Sequence, residues 1–320
     1  MSKRKKTNSN RVVLRCAGGA YLAVLLCLQL SGAASWSVSG AVQAQSAPSW
    51  EDYSLIAHAM GAVDGYSCTP SLEAFTANYQ RGYRLFECDL LQTADGALVL
   101  RHDWAAGFQE GIDEDHLPTL EAFRATPIYG QFTPLAFTDL LQLMELFPDV
   151  YIITDTKDSE EGAVTAQFQE MVKEAEALGL EHLLDRFIIQ LYSLEMYHTV
   201  EAVYDFSNYI LTLYETDFYG ETEVFETYAT GCAELGIRHI TMWSFLYQEE
   251  FLPIMERYGV SVYVHTVNEA GDAQALLERG VSGVYSDRID PADLGDGLRD
   301  IQGGLEHEAF GENDQHTAYF

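Results

Sequence analysis

Glu87 and Asp89 stand two apart in the run Arg84-Leu85-Phe86-Glu87-Cys88-Asp89-Leu90, which alternates as a β-strand does. Strand geometry sends residues i and i+2 to one face, so the two carboxylates lie side by side and Cys88 points the other way. Thr93-Ala94-Asp95-Gly96 is turn chemistry, and Ala97 to Leu100 is a second short strand. So short a connection cannot make a parallel crossover, and the resulting hairpin returns His102 and Asp103 towards the carboxylates. Two carboxylates, a histidine and a further acid on one hairpin would make a site for a hard cation with a proton carrier beside it. A solvated acidic face is the plainer account of such a pair, and the rest of the chain has to decide between them.

Asp155 and Lys157 repeat the two-residue spacing in Val150-Tyr151-Ile152-Ile153-Thr154-Asp155-Thr156-Lys157. They add a third carboxylate and a cation. Beyond residue 50 the chain has no lysines other than Lys157 and Lys173, so Lys157 is either a phosphate contact or a counter-charge for the carboxylates.

The elements that must position these residues alternate regularly. Strands are expected to begin near Leu55, Leu85, Tyr151, Ile188, Tyr209, His239, Val262 and Ser282, with helical stretches between them; Asn268 is read as the cap of the last clear helix. Eight parallel strands alternating with helices make a TIM (β/α)8 barrel in the α/β class, here with a hairpin insertion after its second strand. The barrel domain spans 50–294, after a short linker from Gln45 to Trp50. Residues 104–136 form an inserted loop or lid with one short helix near Leu120 to Arg124, and 295–320 form a flexible acidic tail. The C-terminal strand ends of such a barrel carry its active site. His58, Glu87, Asp89, Asp155, Gln190, Trp243, His265 and Asp287 all fall late in strands or just after them.

With 48% hydrophobic residues in 320, a large core is available. Of 18 basic residues six precede residue 50, leaving 12 against 49 acidic ones. Such a charge disfavours nucleic acid and anionic membrane surfaces as docking partners, because both would be repelled. Residues 1–44 have a basic start, an apolar run from about Cys16 to Leu30 and small residues ending in Val42-Gln43-Ala44. This order is that of a secretory signal peptide, with an uncleaved membrane anchor as the alternative, and places the protein outside the cytoplasm. Cys68, Cys88 and Cys232 would remain after cleavage, as structural free thiols.

Ile56-Ala57-His58, Ser71-Leu72-Glu73-Ala74-Phe75, Phe86-Glu87-Cys88-Asp89, Thr93-Ala94-Asp95-Gly96 and His102-Asp103 together resemble the glycerophosphodiester phosphodiesterase family, kin to phosphatidylinositol-specific phospholipase C. Thr154-Asp155-Thr156-Lys157, the Gln190 strand, His265-Thr266-Val267-Asn268 and Gly283-Val284-Tyr285-Ser286-Asp287 follow in the family's order. The resemblance implies a phosphodiesterase in which Glu87, Asp89 and Asp155 hold one divalent cation, Ca²⁺ or Mg²⁺. His58 and His102 would be general acid and base; Lys157, Gln190, Trp243 and His265 would bind a small-molecule or lipid-derived phosphodiester. The sequence departs from the family pattern in three places. Ala59 replaces an arginine after the first histidine, Cys68-Thr69-Pro70-Ser71 replaces a Glu-Asn-Thr motif, and Asp155 stands where glutamate is usual. Arg101, Arg124 and the loop from Ala105 to Leu135 are the candidates to replace the missing arginine. A catalytically silent barrel that binds phosphodiester headgroups is the alternative reading; two retained histidines argue against it.

Overall fold

The computed structural model describes residues 48–108, 112 and 116–294. The N-terminal leader and the acidic tail expected from the sequence lie outside the described residues. Nine strands are present among those residues: β1 (Leu55–Ala57), β2 (Leu85–Gln92), β3 (Leu98–Leu100), β4 (Tyr151–Asp155), β5 (Phe187–Leu191), β6 (Asn208–Thr212), β7 (His239–Trp243), β8 (Ser261–His265) and β9 (Gly283–Ser286). All but β3 pair in parallel in the order β1-β9-β8-β7-β6-β5-β4-β2, and a further β1–β2 pairing closes the ring. This is the expected TIM (β/α)8 barrel. The antiparallel β3 pairs with the far end of β2, Leu90 opposite Leu100 and Gln92 opposite Leu98, and is the hairpin insertion.

Leu72–Arg81 forms the first helix, α1, because Ser71 accepts the Ala74 N–H at its N-cap and Gly82, at φ +110°, ends it in a conformation that a side chain would resist. Seven further helices follow in chain order: α2 (Leu120–Ala125), α3 (Phe137–Leu146), α4 (Glu161–Leu178), α5 (Leu194–Glu201), α6 (Thr222–Leu235), α7 (Leu252–Tyr258) and α8 (Ala270–Glu278). They bury their apolar faces against the outward strand residues, among them Phe86, Cys88, Ile152 and Ile189, in the large outer core.

The strand interiors form a second cluster. Ile56, Leu85, Ile153, Ile188, Ile210, Tyr263 and Tyr285, each from a different strand, pack with Trp50 and Tyr53. Trp50, expected within a linker, is 3% exposed. Its ring lies 4.3 Å from His239 and 5.7 Å from Tyr263, and its Nε1 donates to Asn208 Oδ1 at 3.0 Å. Asn208 and His239 are the first residues of β6 and β7, and Tyr263 lies in the inner layer just above them, so Trp50 plugs the N-terminal end of the barrel.

The inserted segment after β3 has its own small core of Val99, Trp104, Phe123 and Ala136, with Phe108, Ile112 and Leu117 against it. Within it α2 is the short helix expected near Leu120, with Thr119 as its N-cap. Cys68, Cys88 and Cys232 are free thiols. Among the described residues no helix is long and apolar enough to cross a membrane.

Candidate active site

The inner apolar layer fixes what stands above it. Two residues further along each strand the side chain again points inward, so Ile56 leads to His58, Leu85 to Glu87 and Asp89, Ile153 to Asp155, Ile188 to Gln190, Tyr263 to His265 and Tyr285 to Asp287. A layer of isoleucine, leucine and tyrosine therefore becomes a layer of acids, histidines and amides at the C-terminal ends of the strands. Register sharpens this. Asp89 lies directly opposite Asp155 across the β2–β4 pair, and Trp243 opposite His265 across β7–β8.

Glu87, Asp89 and Asp155 bring carboxylate oxygens within 4.8 Å of one another, all three side chains buried. Burial raises the Glu87 carboxyl to about 8, with the Asp89 charge adding to it; burial likewise pulls Asp155 upward. Lys157 offsets this charge from above: its Nζ lies 2.5 Å from Asp89 Oδ1 and 2.6 Å from Asp155 Oδ2. The second Asp89 oxygen is buried without a hydrogen-bond partner. A buried carboxylate oxygen left bare is costly, and three convergent oxygen donors with one bare oxygen fit a hard divalent cation.

Asp155 is held by groups that the spacing argument passed over. Tyr192 donates its hydroxyl to Asp155 Oδ1, and Tyr214 donates to Oδ2 at 3.1 Å. Gln190 donates to the Tyr214 hydroxyl at 2.9 Å, so this buried amide sits behind Tyr214. Tyr192 follows Gln190 by two residues and Tyr214 follows Thr212 by two. Carrying the two-residue rule one step past each strand end finds both.

His58 stands beside the triad. Its Nδ1 is 2.7 Å from Asp287 Oδ1, and the next backbone N–H, that of Ala59, donates to Glu87 Oε2 at 2.7 Å. Burial works against a charged imidazole, but the Asp287 hydrogen bond and the Glu87 charge outweigh it and raise His58 to about 9. Asp287 is oriented in turn by Asn268, whose Nδ2 donates to Oδ2 at 2.7 Å and whose Oδ1 accepts the Asp287 N–H and the Ser286 hydroxyl. Asn268, expected to cap a helix, is thus committed to Asp287; the residue at the N-cap is Glu269.

His102 occupies the rim. Its side chain is 45% exposed, with Nδ1 3.0 Å from Asp103 Oδ2. Asp103 Oδ1 accepts the N–H groups of Ala105 and Ala106, and the buried Arg101 guanidinium donates to the carbonyls of Asp103 and Ala106. The Arg101 N–H donates to Asp89 O at 3.0 Å, tying this loop to the triad's strand. Arg101 therefore braces the histidine loop instead of facing the site as a spare guanidinium. Arg124 is engaged with Thr138 and Asp139. Neither of these two arginines replaces the missing one.

Trp243 and His265 form one wall. Their rings are 4.3 Å apart, Tyr214 stacks edge-on to His265 at 5.0 Å, and Trp243 is 39% exposed. Burial, aided by the His58 and Lys157 charges, lowers His265 to about 3, so it stays neutral. Its Nε2 is buried with no partner.

The sequence profile of the glycerophosphoryl diester phosphodiesterase family matches residues 68–291. The chain belongs to this family. Membership makes it a phosphoric diester hydrolase; the acidic triad and the His58–Asp287 pair lie at the C-terminal ends of its barrel strands. No curated protein matches the chain significantly. Among solved structures, a candidate family member from Silicibacter pomeroyi DSS-3 is similar with a TM-score of 0.62 at 20% identity, over 78% of this chain and 94% of that one. A glycerophosphodiester phosphodiesterase from Parabacteroides distasonis ATCC 8503 gives 0.59 at 14% identity, over 78% and 97%. An Oleispira antarctica phosphodiesterase, in complex with the product sn-glycerol-3-phosphate, gives 0.57 at 13% identity, over 78% and 96%. At these identities the likeness is one of fold, and it supports the barrel assignment of this family member.

Proposed function

We propose that this family member hydrolyses glycerophosphodiesters or closely related phosphodiesters outside the cytoplasm, with one divalent cation, Ca²⁺ or Mg²⁺, at Glu87, Asp89 and Asp155. The observation that carries the reading is the meeting of three buried carboxylates with the His58–Asp287 pair at the C-terminal mouth of the barrel. A bound cation supplies electrophilic polarisation of a phosphoryl oxygen. His58, held protonated near neutral pH by Asp287 and Glu87, suits the general acid that hands a proton to the departing alkoxide. His102, presented at the rim by Asp103 and the Arg101-braced loop, suits the base that takes a proton from the attacking hydroxyl, whether the substrate's own or that of water. Lys157 is engaged by Asp89 and Asp155 here, so its role towards phosphate requires that it share or release these carboxylates. The bare Nε2 of His265 and the exposed face of Trp243 support a substrate wall, while Gln190 acts through Tyr214.

The product complex of the Oleispira antarctica enzyme supports a small glycerol-based phosphodiester as substrate. The extracytoplasmic assignment rests on the basic, apolar and small-residue order of residues 1–44. The test is a panel of glycerophosphodiesters, lysophospholipids and bis(p-nitrophenyl) phosphate assayed with wild type, His58→Ala and His102→Ala. Turnover by wild type that falls about 10²–10⁴-fold in each folded variant is expected. Wild-type rates in both histidine variants would refute the acid–base assignment, and binding of the panel without any turnover would favour the silent barrel.

A further inference from the structure

We propose a second metal site beside the triad, for a borderline cation of the Zn²⁺ class, formed by His58, Cys68 and Asp287. A ring nitrogen of His58, the Cys68 sulfur and a carboxylate oxygen of Asp287 lie within 4.8 Å of one another, and all three residues are half-buried. They come from three separate segments: the exit of β1, the loop before α1 and the exit of β9.

The two sites differ in chemistry. The triad offers oxygen alone, which suits Ca²⁺ or Mg²⁺. The second set offers nitrogen, sulfur and oxygen, the mixed donor set of a three-ligand zinc centre with one position open. A thiol that coordinates a dication gives up its proton. On binding, the Cys68 proton and the imidazolium proton that His58 shares with Asp287 both leave to buffer, and sulfur and ring nitrogen donate to the metal. With that lone pair so occupied, His58 keeps only the proton on its other ring nitrogen and is no longer the imidazolium that would act as general acid. Zn²⁺ therefore inhibits where Ca²⁺ or Mg²⁺ supports, a consequence that rests on the reading of His58 as general acid; the binding itself does not.

The experiment uses the full chain in saturating Ca²⁺, titrated with Co²⁺ as a spectroscopic stand-in and then with Zn²⁺ as competitor. A thiolate-to-cobalt charge-transfer band is expected in wild type, displaced by Zn²⁺ and missing in Cys68→Ser and Cys68→Ala. Zn²⁺ affinity should fall on the order of 100-fold in both, since losing a direct ligand costs at least as much as losing an outer-shell partner. Calorimetry of Zn²⁺ binding to wild type in buffers of different ionisation enthalpy should show proton release, and this reading needs no variant. Absence of the band in wild type, the same band in both variants, or Zn²⁺ that excess Ca²⁺ displaces from the triad overturns the site. A Cys68-dependent band together with undiminished hydrolysis in Zn²⁺ upholds the site and removes His58 from the chemistry.

Discussion

Asp287 does for His58 what no residue adjacent to it in sequence does. It holds Nδ1, and with it the orientation and charge of the ring, while Asn268 fixes Asp287 from behind. Replacing Asp287 with Asn keeps the shape and removes the charge. Asp287→Asn should therefore lower kcat by about 10²-fold or more with KM little changed, because the general acid is affected more than substrate binding. Equal loss in kcat and gain in KM would instead mean that Asp287 contacts substrate. The residue scale is also where spacing arguments were most informative. Glu87, Asp89 and Asp155 were legible because strand parity alone puts them on one inner face. Asn268 was misread because a cap and a carboxylate clamp have the same residue type and differ only in what lies across the barrel.

At the scale of elements, the turn leaving β1 is the one under most constraint. Ala59, Met60 and Gly61 take φ of 45°, 67° and 78° in succession. Two of them carry side chains that cost about 1–2 kcal/mol each in this region. The return is that the Ala59 N–H points at Glu87. Asn78, buried on α1, holds the turn: its Nδ2 donates to Met60 O at 2.9 Å and Ala62 O at 3.2 Å. Asn78→Ala leaves those carbonyls bare and should cost about 1–3 kcal/mol in urea unfolding, with a fall in kcat because His58 rides on the same turn. Unchanged stability and rate would mean the turn holds itself. The β2–β3 hairpin and the strand starts were legible from alternation and turn residues. The left-handed turn was not, since only Gly61 of its three residues signals positive φ.

Across the whole molecule, the two ends of the barrel divide the work. Polar chemistry gathers at the C-terminal mouth, while the other end is closed by Trp50 and by His239, which is 7% exposed. His239 Nδ1 lies 2.8 Å from Ser261 Oγ and Nε2 lies 3.0 Å from Glu51 Oε1, which satisfies the neutral ring. Burial lowers its pKa from 6.5 to about 4, outweighing the Glu51 charge. The unfolded chain therefore binds this proton first as pH falls. The stability from a neutral His239 is complete above pH 6.5 and lost between there and about pH 4, by at most about 3 kcal/mol. Urea midpoints of wild type should drop more steeply over that window than those of His239→Gln; parallel profiles would contradict the assignment. The plug itself was not legible, because a tryptophan after a Pro-Ser pair reads as linker until the barrel beneath it is closed.

The most direct test of the central claim is hydrolysis of a glycerophosphodiester by the purified protein, first treated with EDTA and then given Ca²⁺ or Mg²⁺. If Glu87, Asp89 and Asp155 hold the working cation, turnover stops in EDTA, returns with the added ion, and in Asp89→Asn needs far more of it. Turnover that persists undiminished in EDTA would contradict the account.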